Sequence, residues 1–128
     1  MKRVLIVLAV AAGLAACNPS TPTGVDAVPP ATPATLRPAD GASFSYFPRN
    51  VTLGWSAVTD PSGVTYRVET QYQGGGWSPL GACTGEIRET TCDLVFVGAQ
   101  VGRWRVQAVD GAGNASGFSA WSYFSFTV

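Results

Sequence analysis

Few residues in this chain could do chemistry, and their types exclude more than they offer. There is no histidine, so nothing here can use an imidazole as base, nucleophile or ligand. The thiols are Cys17, Cys83 and Cys92. A catalytic thiol needs a neighbouring base, usually histidine. A zinc site needs a tetrahedral ligand set in paired spacing, and without histidine only distant carboxylates could complete one. Glu86, Glu89 and Asp93 lie near the last two cysteines. A glycosidase holds its carboxylate pair at a set separation in a cleft, and three acids around one loop of a small domain do not make one. Asp60, Asp110 and Asn114 carry oxygens of the kind calcium takes, but calcium wants roughly six to eight of them. Neither turn has that density, so these residues read as turn formers. Gly74-Gly75-Gly76 lacks the lysine and helix start of a phosphate loop. No enzyme, no metal and no cofactor is expected.

The first seventeen residues supply an address. Lys2 and Arg3 form a positive start, and Val4 to Leu14 is an apolar run of eleven residues. That is short of the about 20 a membrane-spanning helix needs, and it fits a secretory signal. The run ends Leu14-Ala15-Ala16-Cys17, which resembles the bacterial lipoprotein lipobox. The resemblance implies lipidation of Cys17 and cleavage before it, leaving 1–16 as signal peptide. Two or three acyl chains would then anchor the chain, at about 0.8 kcal/mol per buried methylene. In such proteins Asp after the cysteine favours inner-membrane retention. Asn18 stands there, so an outer membrane is the expected address in a cell that has one. In that setting the glycan-acceptor patterns at Asn50 and Asn114 read as coincidence.

With Cys17 assigned to the anchor, Cys83 and Cys92 are an even pair in an oxidising compartment, and a disulfide is expected. It would close a loop of ten residues, about 2.7 kcal/mol in the chain-entropy picture. Removal of Lys2 and Arg3 from the eight basic residues leaves six arginines against eight acids. A net charge near −2 leaves no electrostatic footprint for nucleic acid and no polybasic patch for anionic lipid.

The elements that would position these residues are strands. Residues 17–33 hold the lipidated cysteine and a segment with five prolines, too poor in large apolar residues to pack. They are expected as an extended stalk of roughly 50 Å at about 3.1 Å per residue. From Ala34 the period becomes two. Thr35 to Gly41 is a short edge segment, and Phe44, Tyr46 and Phe47 belong to core or rim. Val51, Leu53 and Trp55 share one face, as do Val64, Tyr66, Val68 and Tyr72, with Thr65, Arg67, Glu69 and Gln71 opposite. Cys92, Leu94 and Phe96 share another. Trp104, Val106 and Ala108 alternate with Arg103, Arg105 and Gln107 before the Asp110 to Asn114 reversal. A further strand ends the chain, so Gly102 to Ser122 reads as a closing hairpin. Six or seven short strands predict an all-β, two-sheet antiparallel sandwich over 34–128.

This segment resembles a fibronectin type III domain of bacterial surface proteins. Leu53-Gly54-Trp55, Tyr66-Arg67-Val68, Trp104 to Asp110, Gly113 to Ser116 and Trp121 to Val128 carry the likeness. One position departs. The family usually has Tyr two residues before Trp104, where this chain has Gly102, so the tyrosine corner is missing. A related immunoglobulin-like topology is the alternative. Phe118-Ser119-Ala120-Trp121-Ser122 also looks like the W-S-x-W-S box of cytokine-receptor modules, with Phe118 in the first Trp place. The likeness implies that Arg103 and Arg105 stack on Phe118 and Trp121. Such a ladder reads first as stiffening the sheet surface and only second as binding a partner; the candidate binding face is the sheet carrying Arg67, Glu69, Arg103 and Arg105, with Trp121.

The expected function is a lipid-anchored extracytoplasmic module that binds protein or mediates adhesion at the envelope. A carbohydrate-binding module using Trp77 and Tyr72, or a passive envelope spacer, is the alternative. The expected partners are the membrane, through the lipid, and an envelope protein or glycan.

Overall fold

The computed structural model describes residues 25–45, 49–96 and 98–127. The signal segment, Cys17, Tyr46, Phe47 and Val128 lie outside the described residues. Among the described residues there are eight strands: β1 (Thr35–Arg37), β2 (Ala42–Ser45), β3 (Arg49–Trp55), β4 (Val64–Gln73), β5 (Trp77–Pro79), β6 (Thr91–Phe96), β7 (Val101–Asp110) and β8 (Ser122–Thr127). One sheet has the order β1-β3-β6, the other β2-β8-β7-β4-β5. The expected all-β sandwich is the architecture found. Its strand count exceeds the expectation because the first segment divides between the sheets. β1 lies antiparallel to β3, and β2 lies parallel to β8.

Period-2 alternation sets which side chains meet between the sheets. Val51, Leu53 and Trp55 of β3 and Leu94 and Phe96 of β6 point inward. From the other sheet come Tyr66, Trp104, Val106, Ala108, Phe124 and Phe126. Val64, Val68 and Tyr72 pack against this cluster at its margin. Thr70 occupies the remaining inward place on β4 and is buried. Its hydroxyl donates to the Ala82 carbonyl at 3.2 Å, which satisfies it. Trp104 is fully buried and its ring centroid lies 6.0 Å from that of Trp55. A one-residue slip of β7 would bring Arg103 and Arg105 inside instead.

Gly102, at the place where the tyrosine corner is missing, has a steric reason. A Cβ there would stand 2.6 Å from the Phe124 ring and 3.0 Å from Phe96. The space is taken by a phenylalanine cluster in which Phe96 stacks on Phe126 at 4.6 Å.

The loop between β5 and β6 crosses from one sheet to the other. Cys83 and Cys92 are bridged across it, with an S–S distance of 2.03 Å and a Cα–Cα distance of 6.0 Å. Ile87 in this loop exchanges backbone hydrogen bonds with Tyr66 at 2.7 and 2.9 Å, continuing the edge that β5 begins.

Residues 17–33 were expected not to pack; of the described ones, most are exposed and two prolines are not. Pro30 and Pro33 are buried, Pro33 fully. The Ala34 N–H donates to Ser56 Oγ at 2.8 Å, and the Ser56 N–H to the Ala34 carbonyl at 2.9 Å. Pro30 and Pro33 thus pack on the sandwich ahead of Ala34. Proline lacks the N–H that a ladder needs, but beside a sheet edge its ring buries apolar surface without leaving a donor unpaired.

Candidate functional site

Arg103 and Arg105 stand on the outer face of the five-stranded sheet. Their strand partners hold them from one side. Arg103 Nε donates to Gln71 Oε1 at 2.8 Å. Arg105 Nε donates to Glu69 Oε1 at 2.7 Å, the two forming a half-exposed ion pair. Gln71 and Glu69 face them because β4 and β7 pair Gln71 with Arg103 and Glu69 with Arg105.

Aromatic rings close over the guanidinium planes. Arg103 lies 4.1 Å from the Trp77 ring and 4.0 Å from the Trp121 ring. Arg105 lies 4.3 Å from Trp121 and 4.3 Å from Phe118. The result is a continuous stack, Trp77–Arg103–Trp121–Arg105–Phe118, running along β7. The box-like stretch thus stacks as its resemblance implied. Trp77 is the member sequence reasoning missed in this role. It opposes Gln73 on the short strand β5, and its ring reaches over β4 to Arg103 and meets Tyr123 edge-on at 6.0 Å.

The segment carrying Phe118 and Trp121 is not the plain hairpin strand expected. β8 pairs with β7 only from Val101 to Trp104. Beyond that, two serines complete the ladder. The Ser116 N–H donates to the Ala108 carbonyl at 2.8 Å, and Ser116 Oγ accepts the Ala108 N–H at 2.9 Å. Three residues on, the Ser119 N–H donates to the Val106 carbonyl at 2.8 Å, and Ser119 Oγ accepts the Val106 N–H at 3.1 Å. A hydroxyl replaces a carbonyl in each pair, so the segment can run irregularly without orphaning the β7 backbone. The Gln107 amide donates to the Ser116 carbonyl at 2.8 Å and holds the outer side. The irregular path lets Phe118 and Trp121 lie flat on the arginines rather than stand off the sheet as strand side chains do.

Arg67 and Glu69, also expected on this face, are both present there. Arg67 pairs with Glu86 at 3.2 Å, both well exposed, a contact worth about 0–1 kcal/mol. It sits apart from the stack, on the rim of an open cleft of about 430 Å³ lined also by Ser62, Val64, Arg88 and Asp110. Glu86 is thus held by an arginine. Asp93 is held by a hydroxyl, accepting from Thr52 Oγ1 at 2.6 Å.

The turn end of the sandwich gathers Asp26, Asp60 and Asp110, whose carboxylate oxygens lie within 4.8 Å of one another. The two turns were weighed from sequence; Asp26 was not, because it comes from the proline-rich lead. The oxygens serve the turns. Asp110 Oδ1 accepts the N–H groups of Ala112 and Asn114 at 2.9 and 2.8 Å, and Oδ2 accepts Asn114 Nδ2 at 2.8 Å. Asp60 Oδ1 accepts the Ser62 N–H at 3.0 Å. Burial pushes the Asp110 carboxyl up, but the hydrogen bonds from Asn114 and Ala112, with Asp26 beside it, outweigh that and hold its pKa below the ordinary value. Gly111 is required between the turns: a Cβ there would collide with the Ser62 carbonyl, and its N–H donates to the Gly63 carbonyl at 3.1 Å.

Comparison with known proteins agrees with this architecture. A family model described as Tissue factor matches residues 5–116. Among solved structures, a Fn3-like protein from Clostridium thermocellum superposes with a TM-score of 0.51 at 20% identity. The match covers 79% of this chain and 97% of that one; at this identity it speaks to the fold. No curated protein matches. A match over most of the chain, on a sandwich of the Fn3-like kind, places the protein: it belongs to the tissue factor family, whose domain is fibronectin type III-like.

Proposed function

We propose that this chain is a lipid-anchored, extracytoplasmic, non-enzymatic binding module that takes a protein ligand on the outer face of its five-stranded sheet. The observation that carries the reading is the stack from Trp77 to Phe118. Tryptophan, tyrosine and arginine dominate the energetic centres of protein interfaces. Here such side chains are already immobilised by one another, so a partner meets a surface whose ordering cost was met on folding. Tyr123, 37% exposed, extends the patch at its end. The address rests on the apolar run and Leu14-Ala15-Ala16-Cys17. A bridged Cys83–Cys92 pair suits the oxidising space such an address implies.

The stack also weighs on the rivals. A sugar platform presents open aromatic faces. Trp77 has Arg103 against its face, and its plane is 64° from that of Tyr123, so the two form no coplanar pair. A passive spacer would present a flat polar sheet without an aromatic ridge. The test is a photo-crosslinking residue at Tyr123 of the full chain, in the native envelope. A discrete protein adduct is expected, lost in Trp77→Ala and absent when the probe stands at Val95 on the opposite sheet. No adduct at Tyr123, or equal adducts from both sheets, would favour the spacer.

A further inference from the structure

The lead ahead of β1 is fastened to the sandwich at several points. Asn114 Nδ2 donates to the Asp26 carbonyl at 2.8 Å. Ser62 Oγ lies 3.2 Å from Asp26 Oδ2 as donor. The Val28 N–H donates to Asp26 Oδ1 at 3.0 Å, turning the chain back along the domain. Pro30 and Pro33 are buried, and Ala34 is hydrogen-bonded to Ser56. Asp26 therefore sits at the end of the sandwich formed by the turns at Asp60–Gly63 and Asp110–Asn114. The opposite end carries Gly74–Gly76, and β4 runs between the two ends.

We propose that Val25 to Ala34 is a strap that fixes how the domain stands on its membrane. The Asp60–Gly63 and Asp110–Asn114 turns face the lipid headgroups, and the Gly74–Gly76 tip points away. This rests on the reading of Cys17 as the lipid anchor. From Cys17 to Asp26 the chain has nine residue steps, which span at most about 32 Å. β4 and β7 have ten residues each, about 34 Å of strand. Even fully extended, the tether keeps the strapped end within about 32 Å of its anchor, less than one domain length, and it pulls on that end alone. A free stalk to residue 33 would have let the domain roam. At this end the carboxylates of Asp26, Asp60 and Asp110 lie near Arg67 and Arg88, so no one-signed patch draws it onto lipid and the attitude comes from the tether. The stack then rises along the side of the domain, with Trp77 and Tyr123 at its outer end, open to a partner in the space beyond.

The test uses the acylated full chain in vesicles of phosphatidylethanolamine and phosphatidylglycerol, with an energy-transfer acceptor on the headgroups. A donor dye is placed on Ala112→Cys at the strapped end, or on Gly75→Cys at the far tip. Transfer should be several-fold greater from position 112 than from 75. Replacing residues 25–32 by a glycine-serine segment of equal length should bring the two values together. Equal transfer in the native chain, or greater transfer from 75, overturns the orientation. An unchanged ratio in the exchanged chain overturns the strap. The Cys17→Ser chain separates the two readings, because it should not enter the vesicle fraction. If it enters as fully as the native chain, the lipid-anchor reading fails and takes the orientation with it.

Discussion

Trp104 and Arg105 are neighbours on β7 with opposite surroundings, and substitution should tell them apart. Trp104 is fully buried against Trp55. Its indole N–H meets no acceptor among the described residues, so packing is what holds the ring. Trp104→Ala should destabilise by about 3–5 kcal/mol, against a total stability of about 5–15 kcal/mol for a domain. Arg105 keeps its Glu69 partner and lies between two rings. An exposed cation–π contact is worth about 0.5–1 kcal/mol, and two of them with the ion pair put Arg105→Ala at about 1–2 kcal/mol. From sequence the expectation would be less than about 1 kcal/mol, since one exposed contact is all that alternation predicts. Urea melts of both variants check this, and equal losses would mean that β7 faces the other way. Alternation made Trp104 legible as core. It could not reveal Trp77, whose ring reaches the stack only because β5 pairs with β4 at the right register.

At the scale of elements, the segment from Ser116 to Ser119 decides how β7 is completed. Ser116 is buried, and its hydroxyl is the acceptor of the Ala108 N–H. Ser116→Ala should orphan that N–H at a cost of about 1–3 kcal/mol. Native-state hydrogen exchange at Ala108 should speed up while the β3 amides keep their protection. If Ala108 remains protected, the hydroxyl is not what completes the strand. From sequence the two serines entered only as members of family-like stretches in a closing hairpin. Their acceptor role was not legible, because it depends on a segment outside the strand period lying beside β7. The lead behaves likewise: its composition predicts an extended chain, and only the folded sandwich supplies the partners of Asp26 and Ala34 that fasten it.

For the whole molecule, two expectations follow from the cysteines. The mature protein should show no free thiol until it is reduced, since Cys83 and Cys92 are bridged. Reduction should lower the melting temperature without unfolding the sandwich, because a bridge across so short a loop accounts for about 2.7 kcal/mol in the chain-entropy picture. Two titratable thiols in the native state, or collapse on reduction, would contradict this. Cys17→Ser should abolish partitioning into detergent and leave an uncleaved or soluble chain; normal maturation and partitioning of that variant would remove the anchor. The sequence alone determined the fold class, the inward faces of β3, β4, β6 and β7, the disulfide pair and the outward arginines. These follow from period-2 alternation and residue chemistry, which act locally along the chain. The tertiary structure decided that Pro30 and Pro33 pack on the sandwich, how Trp77 joins the stack, and that Asp26 meets Asn114 across 88 residues. Such contacts depend on which edges and ends the closed sandwich brings together, and no local pattern encodes that.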